Sequence, residues 1–410
     1  MGERLKVLVV AYGTPYPPNA GTRTRDFSLF QELARFVKLY LCVLATEGSS
    51  PDLFELNKFC AKIISVPAGP RTPVRKLANS LRLWARGVPV AGHRFFYPEL
   101  AQKIRAIIEQ EHINVVQIEH SFLAAYRGAI PERSHCGTIL SLHNVGSAQY
   151  LRMAAIQASL GLNLSYRLKS WLIRRLETRA ATEFDHCIVV SAQEAHLLQD
   201  LAPSANISVV DNGVDCKQIQ PIVHAPPTHH LLFVGVINYP PNADAILYFC
   251  KSILPLIRQR IPDVKFTVVG HSPPPEIEAL HKSPGVVVAG PVEDLASHYA
   301  EARACVVPLR AGGGTRLKIL EAMAFGRPVV STSIGCEGLE VVNGVHLLIA
   351  DSPDEFAHQV TRLLSDAGLW NRIAMAARRR VEKRYDWPIL AQKQLKIYDA
   401  LAAHGTVTQQ

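Results

Sequence analysis

Short runs rich in Val, Ile and Leu recur along the chain. In the first half they lie at Lys6 to Ala11, Val37 to Ala45, Ile63 to Val66, Asn114 to Ile118, Thr138 to Leu142 and Cys187 to Val190. In the second half they lie at Leu231 to Val234, Val264 to Val269, Gly285 to Gly290, Ala304 to Val307, Val329-Val330 and Leu347 to Ala350. Runs this continuously apolar read as strands buried on both faces of a parallel sheet. Helix-length segments separate them, among them Asp26 to Arg35 and Leu317 to Phe325; the second is rich in good helix formers and is stopped by Gly326. Strands alternating with helices predict doubly wound parallel α/β sheets. A chain of 410 residues is too long for one core and divides into two domains of roughly 200 residues each.

One βαβ unit carries more chemistry than the others. The strand Ala304 to Val307 is followed by Gly312, Gly313 and Gly314, then Thr315, Arg316, Leu317 and Lys318 at the start of the helix that holds Glu321. Glycines let the backbone approach a ligand with its amide hydrogens exposed, and a helix start after such a loop forms an anion pocket. Thr315, Arg316 and Lys318 add a hydroxyl and two cations at its mouth, and Glu321, one turn in, is placed to accept hydrogen bonds from a ribose diol. The competing interpretation of the loop alone is a glycine-rich surface turn with solvated cations.

The longer run GGGTRLKILEAMA-GRPVVST, Gly312 to Thr332 with Phe325 at the gap, resembles the donor-binding segment of retaining GT-B glycosyltransferases of family 4. Two further stretches are similar to that family: Val190-Ser191 with Glu194, and the Asn212-Gly213-Val214-Asp215 hinge midway along the chain. The resemblance implies two Rossmann-like doubly wound domains facing a cleft. Residues 1–213 would form an acceptor-binding domain and 214–386 a nucleotide-sugar-binding domain. Residues 387–410 would form a helix, read from Trp387 to Leu401, that crosses back to the first domain. It implies transfer from a nucleotide diphosphate sugar, with Glu321 on the ribose, the diphosphate on Gly312 to Thr315, and Gly235 and Leu317 also on the donor side. The loop after the first strand supplies Gly21, with Arg25 a weaker choice. His143 at the end of the strand Thr138 to Leu142 would line the reacting carbon, with His120 as second choice.

Two departures from the family pattern matter. The second motif glutamate, eight positions before the ribose-binding one, is here Gly313. The loop after Gly235, Val236 to Asp244, holds no cation where the common form has an Arg and a Lys. Arg316 and Lys318 are the expected replacements, and with no Asp-x-Asp in the sequence the reaction is expected to need neither metal nor cofactor beyond the donor substrate.

Charge and composition narrow the partners. The net charge of +9 suits nucleic acid, an anionic membrane face or an anionic small substrate. Basic and apolar residues interleave at Arg71 to Phe96 and again at Arg167 to Arg179 around Trp171, which reads either as interfacial membrane contact or as surface helices buried on their own domain. Recognition motifs for nucleic acid are absent, as is the GxGxxG of a dehydrogenase after the first strand. Eight scattered cysteines without a CxxC pair suggest reduced thiols, hence a cytoplasmic protein, at most peripheral on the inner membrane face. The expected acceptor is a glycan or lipid-linked molecule of the envelope. Another GT-B activity, such as sugar-nucleotide epimerisation, or a non-catalytic sugar-nucleotide sensor remain the alternatives.

Overall fold

The computed structural model describes residues 4–45, 53–69, 77, 80–81, 83, 88–155, 159–312 and 316–407. Internal contacts divide the chain into two units, Met1–Asp211 with Pro388–Gln410, and Asn212–Trp387. The return of the chain after Trp387 to the first unit is made by polar contacts on the inner face of the helix Trp387–Val407. Tyr398 donates to Gln117 Oε1 at 2.7 Å, Gln394 Nε2 donates to the same oxygen at 2.9 Å, and Lys393 pairs with Asp211 at 3.0 Å.

The first unit holds seven parallel strands: β1 (Lys6–Tyr12), β2 (Lys38–Ala45), β3 (Lys62–Pro67), β4 (Val115–Glu119), β5 (Gly137–Leu142), β6 (His186–Val189) and β7 (Ile207–Val209). Their order is β3-β2-β1-β4-β5-β6-β7. Val7 of β1 pairs with Leu39 on one side and Val115 on the other, so the strand order reverses between β1 and β4. The helix Pro98–Glu111 packs against this unit's core by burying Leu100, Ile104, Ile107 and Ile108 along one stripe.

The second unit repeats the plan with β8 (His230–Val234), β9 (Lys265–Val269), β10 (Val286–Gly290), β11 (Ala304–Val307), β12 (Val329–Ser331) and β13 (Leu348–Ile349), ordered β10-β9-β8-β11-β12-β13. Here the reversal falls between β8 and β11. Ligands of open parallel sheets collect beyond the carboxyl ends of the strands at such a reversal. The two Rossmann-like sheets expected from the apolar runs are therefore present, each with its own core. All eight cysteines are thiols, and burial pushes Cys42, Cys60, Cys187 and Cys250 up to about 12.

Two expectations need correction. The first helix runs Gly21–Leu33, not from Asp26, with Ala20 extended ahead of it and the Thr24 amide donating to the Ala20 carbonyl at 2.8 Å. Its buried side includes Arg25 and Asp26, so apolar periodicity could not find its first turn. Arg25 is not available to a donor: it is 2% exposed and donates to the carbonyls of Asp211 at 2.7 Å and Val210 at 2.9 Å. Of the basic stretch Arg71 to Phe96, half lies outside the described residues, Trp84 included; Leu77 and Leu81 are exposed, whereas Leu83 is buried. Phe96 is core, stacked on Tyr126 at 5.1 Å.

Candidate active site

In the second unit the β8/β11 reversal gathers Gly235, Asn242, Gly312, Arg316 and Lys318. Gly235 directly follows β8, and a Cβ there would sit 2.9 Å from Lys318 Nζ and 3.0 Å from Asn242 Nδ2. Its lack of a side chain is what admits the ammonium. Lys318 projects from the helix Leu317–Ala324 into the cationless loop after β8, where Nζ donates to Asn242 Oδ1 at 2.8 Å and lies 4.1 Å from the centre of the Phe233 ring. Asn242 Nδ2 in turn donates to the Val236 carbonyl at 2.8 Å, which fixes the amide's orientation. Burial, then the charge of Arg316, push the Lys318 ammonium down to about 7. An enclosed cation beside a second cation is poorly satisfied until an anion arrives.

Gly312 has φ +127°, in the region that favours glycine, and a Cβ would meet the Arg316 guanidinium at 2.9 Å. Arg316 itself is 8% exposed and caps the helix Leu317–Ala324; its side chain carries only donors and gives the first-turn amides no acceptor. Leu317 is the first helical residue and is half-buried. Gly313, Gly314 and Thr315 lie outside the described residues. Glu321, one turn on, accepts a hydrogen bond from Tyr299 Oη at 2.9 Å; burial raises its carboxyl, and that bond opposes the rise. Tyr299 stacks on Phe325 at 4.4 Å, so the group that aims Glu321 is itself held. Asn242 and Tyr299 were not legible as site residues, because neither belongs to a motif and both act through the residue they orient.

Gly235→Ala tests this packing. The atoms it meets are side-chain ends, so the fold should survive with a loss of stability in the ordinary range of about 0.5–3 kcal/mol, while Lys318 is displaced. Nucleotide diphosphate affinity should fall roughly tenfold or more. Calorimetric titration checks it, and unchanged affinity would remove Gly235 from the site.

In the first unit the β1/β4 reversal gathers a different set. Gly21 lies exposed in the first turn of the helix Gly21–Leu33. Below that turn, on β4, β5 and the same helix, His143 Nε2 lies 3.0 Å from Glu119 Oε2 and 3.3 Å from Asp26 Oδ1, all three side chains buried. Burial alone would lower the His143 imidazole, but Asp26 and Glu119 outweigh it and raise it to about 9. Burial likewise opposes ionisation of Glu119, and the hydrogen bonds of His143, Gln117 and Ser141 overcome it, holding that carboxyl at about 2. Three donor atoms this close could hold a metal. Burial raises the Asp26 carboxyl and the charges of His143 and Arg25 oppose that rise, while Glu119 is held ionised beside the protonated His143.

This corrects the expected place of His143, which is 8% exposed with Nε2 turned onto carboxylates. The half-buried ring is that of His120, just past β4, where the residue takes φ +70°. It stacks on Phe122 at 4.9 Å and lies 4.3 Å from the His143 ring. Burial, then the charge on His143, push His120 down to about 3, so it is neutral. Phe122 continues into an aromatic group with Phe95 at 4.5 Å and Tyr12 at 5.8 Å. The turn after His143 is pinned from below: Glu194 accepts from the Val145 amide at 2.5 Å, and Glu177 accepts from the amides of Gly146 at 2.7 Å and Ser147 at 3.1 Å. Glu194 also belongs to the helix capped by Ser191, whose hydroxyl accepts from the Glu194 amide at 3.1 Å, which accounts for the spacing of that motif.

Two parallel-sheet units, one with a cation-bearing glycine loop at its strand-order reversal, define a protein of the GT-B fold class. Residues 61–218 match the family model described as Glycosyltransferase Family 4, and residues 228–366 match that described as Glycosyl transferases group 1. The chain belongs to the glycosyltransferases of this group 1/family 4 type. Among relatives, it is 28% identical over 165 residues to an uncharacterised 44.6 kDa protein of the cps region of Klebsiella pneumoniae, covering 38% of this chain and 42% of that protein. It is 29% identical over 192 residues to the phosphatidyl-myo-inositol mannosyltransferase of Mycobacterium tuberculosis, covering 44% and 49%. The chain thus spans about half the length of the curated relatives it matches. Among solved structures, sucrose-phosphate synthase of Thermosynechococcus elongatus superposes with a TM-score of 0.75 at 20% identity, covering 98% of this chain and all of the other. Anabaena HepE, solved with UDP and glucose, superposes with a TM-score of 0.70 at 15% identity, covering 97% of this chain and all of the other.

Proposed function

We propose that this chain is a retaining, hexosyl-type glycosyltransferase that moves a sugar from a UDP- or GDP-linked donor to a glycan or lipid-linked acceptor of the cell envelope, without metal. The observation that carries the proposal is the Lys318 ammonium held at Gly235 by Asn242, with Arg316 on the adjoining turn. Breaking the bond between the anomeric carbon and the β-phosphate oxygen leaves its electron pair on the diphosphate. Two enclosed cations already in position stabilise that charge without reorganisation, which is the larger part of the catalytic effect expected of such a site. Glu321, aimed by Tyr299, takes the ribose hydroxyls. The UDP of HepE and the mannosyltransferase and cps-region relatives support a sugar-nucleotide donor and an envelope acceptor.

The first unit supplies His120. A neutral ring accepts as well as donates, so it can orient a sugar hydroxyl, and the Tyr12, Phe95 and Phe122 rings beside it offer apolar faces to a sugar. His120→Ala is expected to lower kcat about 10²-fold or more with the fold intact. Equal rates for His120→Ala and wild type would return the role to another group.

Thermal stabilisation by UDP, GDP and their sugars tests the donor, since a ligand of the native state raises its melting point. Transfer with an unchanged anomeric configuration, in the presence of a chelator, supports the full proposal. Stabilisation without turnover supports a sensor, and epimerised donor supports the epimerase.

A further inference from the structure

The helix Leu160–Glu183 is built inside out over its first three turns. Its packed side there is held by polar contacts beside the half-buried Tyr166, which stacks on Tyr150 at 6.0 Å: Asn163 Nδ2 donates to the Ala154 carbonyl at 2.7 Å and Ser170 Oγ to the Ser147 carbonyl at 2.7 Å. Its outer side is apolar: Leu160, Leu164, Leu168 and Trp171 are 88%, 69%, 57% and 52% exposed. At about 100° per residue these four lie within an arc of roughly 80°, centred about 110° around the helix from Asn163 and Ser170, and run about 17 Å along the axis. Only in its last two turns does the helix bury apolar residues inward, at Leu176, Ala180 and Ala181. A helix of a water-facing surface has the reverse polarity.

Charge names the partner. Arg167, Lys169, Arg174, Arg175 and Arg179 lie on this helix, and Arg175 sits over the Trp171 ring at 4.7 Å. Its acidic residues, Glu177 and Glu183, do not oppose them: the first is 0% exposed beneath Gly146 and Ser147, and the second pairs with Arg179. A leucine and tryptophan stripe bordered by cations, on a helix that cannot cross a bilayer, has the composition of an interfacial helix. The geometry points to the outer face of Leu160–Glu183 as a docking surface for an anionic lipid bilayer, with Leu164, Leu168 and Trp171 entering the headgroup region. This surface is independent of the donor site and holds whichever sugar is transferred.

Vesicle sedimentation of the full chain tests it, with phosphatidylcholine vesicles set against phosphatidylglycerol-rich ones. The wild type should partition onto the anionic vesicles roughly tenfold or more in excess, less so at high salt. The variant Leu164→Gln/Leu168→Gln/Trp171→Gln should lose about tenfold in partition and the blue shift of tryptophan emission. Arg167→Glu/Arg174→Glu/Arg175→Glu should lose the preference for anionic lipid. Both variants alter exposed side chains, so nucleotide-induced thermal stabilisation should match wild type and show that they fold. Equal binding to both vesicles, or full anionic binding by the triple Gln variant, overturns the proposal. A dimer in solution that the triple Gln variant dissociates would assign the stripe to a second copy and overturn it as well.

Discussion

Lys318→Ala is expected to lower turnover by about 10²–10³-fold and to weaken nucleotide diphosphate binding, with little change in fold. The size follows from the surroundings. The ammonium is enclosed by Gly235, Asn242 and Phe233 and is held down to about 7, with Arg316 close by. A diphosphate bound there favours the charged form and raises that value. Binding at pH 8 should therefore take up roughly one proton, and affinity should fall as pH rises above about 7, where the free enzyme has lost the charge. Titration calorimetry in two buffers of different ionisation enthalpy reads the proton directly. The same heat in both buffers, or the same uptake in Lys318→Met, would show that the diphosphate binds elsewhere.

His143→Ala should destabilise the first unit by about 3–5 kcal/mol, because it leaves the ionised Glu119 buried without its cation and takes from Asp26 a partner that opposes the burial-driven rise of its carboxyl. The pH dependence is equally specific. The imidazole is raised to about 9 in the folded chain against an ordinary 6.5. Between those values the folded state binds a proton that the unfolded chain does not. The contribution, about 3 kcal/mol, is therefore full below pH 6.5 and lost as pH rises through 9. The two units need not unfold together, so global melting is a poor probe. Hydrogen exchange of the β4 and β5 amides at pH 6, 7.5 and 9 isolates the effect. Protection that is flat across that range would mean that His143 is neutral. In His143→Gln it should be flat, and His120, freed from the neighbouring charge, should titrate closer to its ordinary value.

How much of this could be seen in the sequence varies with the kind of signal. Strands were legible because parallel sheets bury both faces, which turns each strand into an unbroken apolar run such as Val7 to Val10. The glycine loop stood out because glycines and cations fall together at a helix start; Gly313, Gly314 and Thr315 lie outside the described residues. The first turn of the helix Gly21–Leu33 was hidden because its inner face is charged, with Arg25 and Asp26 spent on Asp211, Val210 and His143. The choice between His120 and His143 was hidden for a related reason. Both histidines follow strands of the same sheet, and nothing local distinguishes a ring that faces outward from one turned onto two carboxylates.

The order of residues by itself determined which segments become strands, where the glycine loop and its cations fall, and that the loop after Gly235 lacks a cation of its own, since each of these is a property of neighbours along the chain. Tertiary structure decided that Lys318 fills that loop across 83 positions from Gly235, and that Gln117 couples Tyr398 to Glu119, which His143 contacts in turn. It also decided that the leucines of Leu160–Glu183 face outward. The physical reason is common to all three: the energy of a charge or an apolar side chain is set by what surrounds it, and those surroundings come from distant parts of the chain.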